Sequence, residues 1–314
     1  MSAENNNENN TQEQELWERI STTEGAERAE VLDELSHIAY RRDDFNECLQ
    51  LVDTSIDIYF KLGMDSHIKE LIHAYEGKAF SLRNLDRHVE AADTFEEIAK
   101  LHQIDDDTNG YMKAIRAAAC DWYEVKEWQK CLDGHTAAKD SIDPDATPMS
   151  MGIDLLNIGM ALAKLEQHQA AIESHLSARK LFKEAKNPEY VNWADRYVTV
   201  SYAEIGNGPE AKFHAKHYFN YSKVAEDMTM EGFARFRLGK AHLLCQEYED
   251  AERQLVAALE QLTLEEKKPW EEILEANRAL AQALVVLGKE EEAITRLERI
   301  ATIEETICGD EKAA

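Results

Sequence analysis

A chain of 314 residues with 62 acidic and 35 basic side chains carries a formal charge of −27 and repels polyanions, which excludes nucleic-acid binding through a general basic footprint. Apolar runs are too short for a membrane span, and the first residues are rich in Asn and Glu rather than apolar. Neither a membrane span nor a signal peptide is expected, and the expected location is the cytoplasm. Five cysteines, Cys48, Cys120, Cys131, Cys245 and Cys308, show no CxxC or Cys/His metal spacing and are read as small apolar core residues.

In chain order, residues 1–14 have nothing to bury and are expected to be a disordered polar tail. Residues 15–28, marked by Leu16, Trp17 and Ile20, are expected to form a helical cap over the first repeat. From 29 to 305 a single ladder recurs. Its anchor is a small residue: Cys48, Ala91, Cys131, Ala171, Ala211, Ala251 and Ala293, spaced 43, 40, 40, 40, 40 and 42 residues apart. Three positions before the anchor stands a ring in most copies, as in Phe45, His88, Trp128, His168 and Tyr248. Five before it, at the turn, are Asp43, Asp86, Lys126, Glu166, Gly206, Gln246 and Gly288. A small anchor lets two antiparallel helices approach, and bulky flanking residues fill the space between them. One such pair cannot bury its apolar face alone, whereas stacked pairs can. Short polar segments such as Ile104–Gly110, Ile142–Met149 and Thr263–Pro269 separate the copies and are too short to split the array. Residues 306–314 read as a polar C-terminal tail.

The ladder resembles the tetratricopeptide repeat. Ile158-Gly159 through Ala178 and Leu238-Gly239 through Ala258 match its Leu-Gly, turn and small-residue positions, and Leu280-Ala281, Leu284, Gly288, Ala293, Leu297 and Ile300 follow. The period of 40 exceeds the family's usual 34, and the closing proline is mostly absent. The long helices are similar to those of bacterial peptide-pheromone receptors and of eukaryotic polarity and kinesin-cargo adaptors. This resemblance implies an all-α, right-handed superhelical solenoid of seven antiparallel helix pairs that binds protein or peptide in its concave groove.

Motifs that carry chemistry are weak. Asp105-Asp106-Asp107-Thr108-Asn109-Gly110 spells the first half of a calcium loop, but its twelfth position is Arg116, where a bidentate carboxylate is required. The segment is read as a turn whose polar side chains cap the helix beginning near Tyr111. His214 with His217 and His168 with His175 have helical spacings without a Cys or a HExxH glutamate, and are read as packed or edge histidines. No catalytic site, metal or cofactor is expected.

In the family, positions 18, 15 and 11 residues before each anchor line the groove, and their spacing puts them on one strip of the first helix. The strip is acidic at first, with Glu30, Asp33 and His37. From the third unit it turns basic and apolar-aromatic. The candidate groove residues are Lys113, Arg116, Leu156, Met160, Trp193, Arg196, Phe233, Phe236, Arg237, Lys240 and Arg278. Arginine and aromatic side chains are the usual anchors of interfaces. The expected function is a non-catalytic scaffold or adaptor for a peptide with apolar anchors and acidic residues, with no nucleic acid and no membrane as partner. The Lys/Asn set of the chaperone-binding carboxylate clamp is absent from adjacent units. Two alternatives stand beside this reading: a peptide-sensing switch that binds and releases a partner protein, and an inhibitor that mimics nucleic acid with the acidic second helices, among them Glu47, Asp53, Glu90, Glu97, Asp250 and Glu252. Ile300, Ile303 and Ile307 suggest self-association through the last helix.

Overall fold

A computed structural model of the chain describes residues 13–141, 146–266 and 268–310, the last three without their side chains. The tail expected over residues 1–14 lies outside the described residues as far as residue 12, as do 142–145 of the segment read between the third and fourth copies and residues 311–314 at the C-terminus.

The described residues fold into α-helices alone, apart from one 3-10 turn at Met64–Ser66. Helix α1 covers residues 13–20. Seven antiparallel pairs follow: α2 Gly25–Arg41 with α3 Phe45–Leu62, α4 Ile68–Asn84 with α5 His88–Ile104, and α6 Thr108–Glu124 with α7 Trp128–Asp140. Then come α8 Pro148–Lys164 with α9 His168–Glu184, α10 Pro188–Glu204 with α11 Gly208–Val224, α12 Met228–Leu244 with α13 Tyr248–Leu262, and α14 Trp270–Val286 with α15 Glu290–Asp310. Most helices are 17 residues long and are joined by three-residue turns, which produces the 40-residue period.

The turns are built as the ladder requires. All seven residues five positions before an anchor, Asp43, Asp86, Lys126, Glu166, Gly206, Gln246 and Gly288, have φ between 56° and 74°. This left-handed step ends one helix and starts the next, and it costs a residue with a Cβ on the order of 1 kcal/mol relative to glycine. The ring residues three before the anchor open the second helix, and every anchor is buried, with exposures of 0–2%.

The chain forms two compact units, Met1–Ala146 and Thr147–Ala314. In the first, α1 lays Leu16 on Val31, Leu32 and Leu35 of the opening pair, while Trp17 stays exposed. Asp121 is buried in an ion pair with Arg83 at 2.6 Å and lies 2.9 Å from His88 Nδ1. The calcium-like segment is a cap: Asp107 accepts the Gly110 N–H at 3.0 Å and also faces His102, so α6 starts at Thr108.

In the second unit each helix packs on its sequence neighbours, and the first helices α8, α10, α12 and α14 also touch one another in succession. Glycines permit the closest approaches. A Cβ at Gly239 would stand 2.6 Å from Leu255 Cγ, and one at Gly159 2.3 Å from His175 Cδ2. The final helix turns Ala293, Ile300, Ile303 and Ile307 onto α14. These spacings of three, four and seven make one face, so the isoleucines read as a self-association surface belong to the core instead. The side chains exposed there are Ile294 and Leu297. Cys48 and Cys131 are buried as expected, but Cys120 is exposed and Cys245 half-buried, because both fall outside the anchor register.

Two outcomes follow. Gly239→Ala is expected to lower stability by about 1–3 kcal/mol in urea unfolding, since overpacking against the buried Leu255 outweighs the helix propensity of alanine. Burial pushes the His175 imidazole down to about 4, so it folds neutral. The unfolded chain binds more protons between pH 6.5 and about 4, so stability falls on acidification through that window, by about 3 kcal/mol from this group. His175→Phe should remove that share of the acid sensitivity, measured as the difference between the two proteins' stability–pH curves.

Candidate functional site

The first helices α8, α10, α12 and α14 touch one another in succession and so form one row of the second unit. Their outward strip carries most of the sequence-predicted residues. Trp193 is 40% exposed and stacks on Tyr190 at 6.4 Å between centroids. Arg196 lies between two rings, its guanidinium carbon 5.6 Å from the Tyr197 centroid and 5.5 Å from that of Phe233. Trp193, Arg196, Tyr218, Met230 and Phe233 line one cavity of about 190 Å³.

Arg237, one turn along α12 from Phe233, stands over the Phe236 ring at 4.7 Å. Its Nε is sealed from solvent and has no hydrogen-bond partner among the described residues. Burial pulls the guanidinium below the ordinary arginine range, and the neighbouring Arg196 charge pulls the same way while Glu275 and Glu272 oppose it. The same two arginines act on the buried phenols of Tyr197 and Tyr218, where burial pushes the titration up and both cations pull it back. Two neighbouring arginines that make no ion pair among the described residues thus sit beside Tyr197 and Tyr218, with Arg196 lining the cavity together with Tyr218 and Asp227. An isolated charge in such a place is costly unless an opposite charge arrives. The arrangement can receive an anionic group flanked by an apolar or aromatic one.

The remaining predicted residues divide. Phe236, at 0% exposure, and Leu156, at 4%, are core residues beneath the strip and present no surface to a partner. Their positions lie on the flank where a first helix meets its neighbours, so the fixed spacing carried them inward. Met160 is half-buried on α8. Lys240 and Arg278 are on the surface but engaged, Lys240 with Glu275 at 2.8 Å and Arg278 with Glu304 at 2.7 Å. Burial resists ionisation of Glu275, yet Lys240, Arg237 and Arg278 together hold its carboxyl below the usual range. Lys113 and Arg116 belong to the first unit, where Lys113 lines a cavity of about 360 Å³ with Phe80, Phe95 and Asp107. The acidic strip of that unit has its own cavity, in which Tyr59 donates to the buried Asp33 at 3.0 Å.

The second-helix carboxylates form local bridges: Glu47 with Arg42, Asp53 with Lys78, Glu90 with Arg87, Glu97 with Lys100, Asp250 with Arg253 and Glu252 with Lys289. His242, Glu247 and Asp250 gather on α12 and α13 with the spacing of metal ligands, but Glu247 is taken by Lys212 and His242, and Asp250 by Arg253. His214 is buried against Asp195, while His217 is exposed.

The sequence matches no protein-family model, and no curated protein matches it. Solved structures share the fold. The apo form of RapI aligns over 88% of this chain and 77% of its own, with a TM-score of 0.62 and 11% identity. A Rap protein complexed with competence and sporulation factor aligns over 88% and 76%, with a TM-score of 0.56 and 12% identity. BtubC (BKLC) from P. vanneervenii aligns over 72% and 92%, with a TM-score of 0.59 and 13% identity.

If the Arg196–Arg237 pair exists to bind rather than to hold the fold, Arg237→Met should raise stability by about 1–2 kcal/mol, because it replaces a half-buried cation whose Nε is unsatisfied by an apolar chain of similar length. Urea unfolding of the variant beside the parent protein measures this, and a clear loss of stability would make the guanidinium structural.

Proposed function

We propose, with the tetratricopeptide-like helical repeat fold as the premise, that the chain is a non-catalytic binding module whose second unit takes a peptide or protein segment along its first helices. The observation that carries this reading is the pair of neighbouring arginines, Arg196 and Arg237, for which no carboxylate partner is found among the described residues. Arg196 supplies the accessible cation, Arg237 deepens the positive potential beneath it, and Trp193 and Phe233 offer the apolar contact. The segment recognised carries an acidic side chain or a terminal carboxylate next to an aromatic or large aliphatic residue.

The polar clusters speak for binding rather than catalysis. Asp121 is spent on Arg83 and His88, Asp195 on Arg179 and His214, and Glu247 on Lys212 and His242. Asp195 lines a cavity, but Arg179 and His214 already bind its carboxylate there. A cytoplasmic setting and a protein partner agree with this reading, and no helix among the described residues is long and apolar enough to cross a membrane. The acidic-mimic alternative is weakened because many second-helix carboxylates are already matched by lysine or arginine. The peptide-sensing switch keeps specific support in the likeness to a Rap protein complexed with competence and sporulation factor.

Selection from a random peptide display library tests the proposal. The parent protein should enrich peptides pairing Asp, Glu or a free C-terminus with an aromatic residue. Arg196→Ala should weaken the selected peptides by roughly 10- to 100-fold in fluorescence anisotropy, as expected for loss of a charge-assisted contact. Selection of the same peptides with the same affinity by Arg196→Ala would overturn the assignment. A change in small-angle scattering on peptide binding would favour the switch over a static scaffold.

A further inference from the structure

A second opening in the same unit is lined from α9, α10 and α11, on a face of α10 adjoining the first. It is a cavity of about 430 Å³ with a lining chemistry unlike the chain as a whole. Arg179, Lys183 and Lys186 line it from α9 and the turn after it, His217 and Tyr221 from α11, and Asp195 is the one acid among them. In a protein of charge −27, residues 164–223 hold nine basic and seven acidic side chains. Lys183 and Lys186 are exposed and make no ion pair among the described residues.

The cavity is organised as well as positive. Asp195 is 2% exposed and is held by His214 Nδ1 at 2.5 Å. It accepts from Arg179 Nε at 2.8 Å, which fixes the guanidinium and leaves its two terminal nitrogens for another acceptor. The N-terminus of α10 opens at Asn187 and Pro188 on the cavity wall and adds the positive end of a 17-residue helix dipole.

Asn192 supplies an independent sign of a ligand. It is 3% exposed, lines this cavity and also the one beside Trp193, and its Oδ1 has no hydrogen-bond partner. Its Nδ2 donates to Met230 Sδ at 3.5 Å, which leaves Oδ1 as the unpartnered end of the amide. An acceptor without a donor, set among cations, asks for an anion that also carries a proton. Val191, Pro188 and Tyr221 give the rest of the wall an apolar character suited to an organic body.

We infer that this cavity is a binding site for a small phosphate monoester, distinct from the peptide groove, in which Arg179, Lys183 and Lys186 take the phosphate and Asn192 Oδ1 accepts its P–OH. A phosphate monoester has a second pKa near 6 and presents both the charge and the donor, whereas sulfate presents only charge and acetate a single negative charge.

Calorimetry on the full chain at about pH 6, where the monoester is roughly half protonated, tests the site with phenyl phosphate, inorganic phosphate, sulfate and acetate. Phenyl phosphate should bind with one-to-one stoichiometry and more tightly than inorganic phosphate, and sulfate and acetate should bind less well than either. Lys183→Glu with Lys186→Glu should weaken phenyl phosphate by roughly tenfold or more. Lys180→Glu with Lys223→Glu, which makes the same change of net charge outside the cavity, should leave it unchanged. Asn192→Leu should erase the preference for phosphate over sulfate. The inference is overturned if phenyl phosphate shows no saturable binding or binds more weakly than inorganic phosphate. It is also overturned if sulfate matches phosphate in the parent protein, or if the two double reversals weaken binding equally.

Discussion

At each repeat a residue no larger than cysteine or alanine sits where the second helix crosses the first, and all seven of these anchors are buried. The crossing sets how near two 17-residue rods can lie. The left-handed residue five positions earlier sets the angle at which the chain re-enters. Everything else is subordinate to that pair of constraints. Rings at the start of the second helix fill the wedge left beside the anchor, and glycines such as Gly159 and Gly239 give way where His175 and Leu255 must pass. Because the crossing recurs with little variation, one strip of each first helix is repeatedly presented outward, and a row of such strips becomes a surface that side chains can specialise.

That frame was readable from residue types because it depends on size and backbone conformation, which the sequence states directly. The turn residues are an instructive case. Asp43, Lys126 and Gln246 are an anion, a cation and a neutral amide, yet their common distance from the anchor identifies the one position where the backbone must turn left-handed. The helix ends beyond the last repeat were less readable, since α15 runs to Asp310 without a turn signal to stop it earlier.

The groove was legible only in part. A fixed offset from the anchor found Trp193, Arg196 and Phe233, which do line a cavity, but it also picked Phe236 and Leu156, which the neighbouring helices cover. Composition of the strip could not show that Lys240 and Arg278 are matched by Glu275 and Glu304, because those partners lie 35 and 26 residues away on other helices. Arg237 stood out in the sequence only as an extra cation, and its isolation is a property of the packing around it. The cavity lined from α9, α10 and α11 had a signal that the groove-centred offsets passed over: Arg179, Lys183 and Lys186 follow one another at helical spacings of four and three in an otherwise acidic chain.

The helices of each unit touch chiefly those just before and after them in sequence. Such a chain closes only short loops as it folds, so the entropy of ordering is met in small instalments and the kinetic barrier is low. The same arrangement leaves the ends of a stack supported on one side and its middle on two. Amide protection against hydrogen exchange is therefore graded along each unit, and a molecule wedged among α9, α10 and α11 braces helices next to the end of theirs, where support from neighbours is thinner than in the middle.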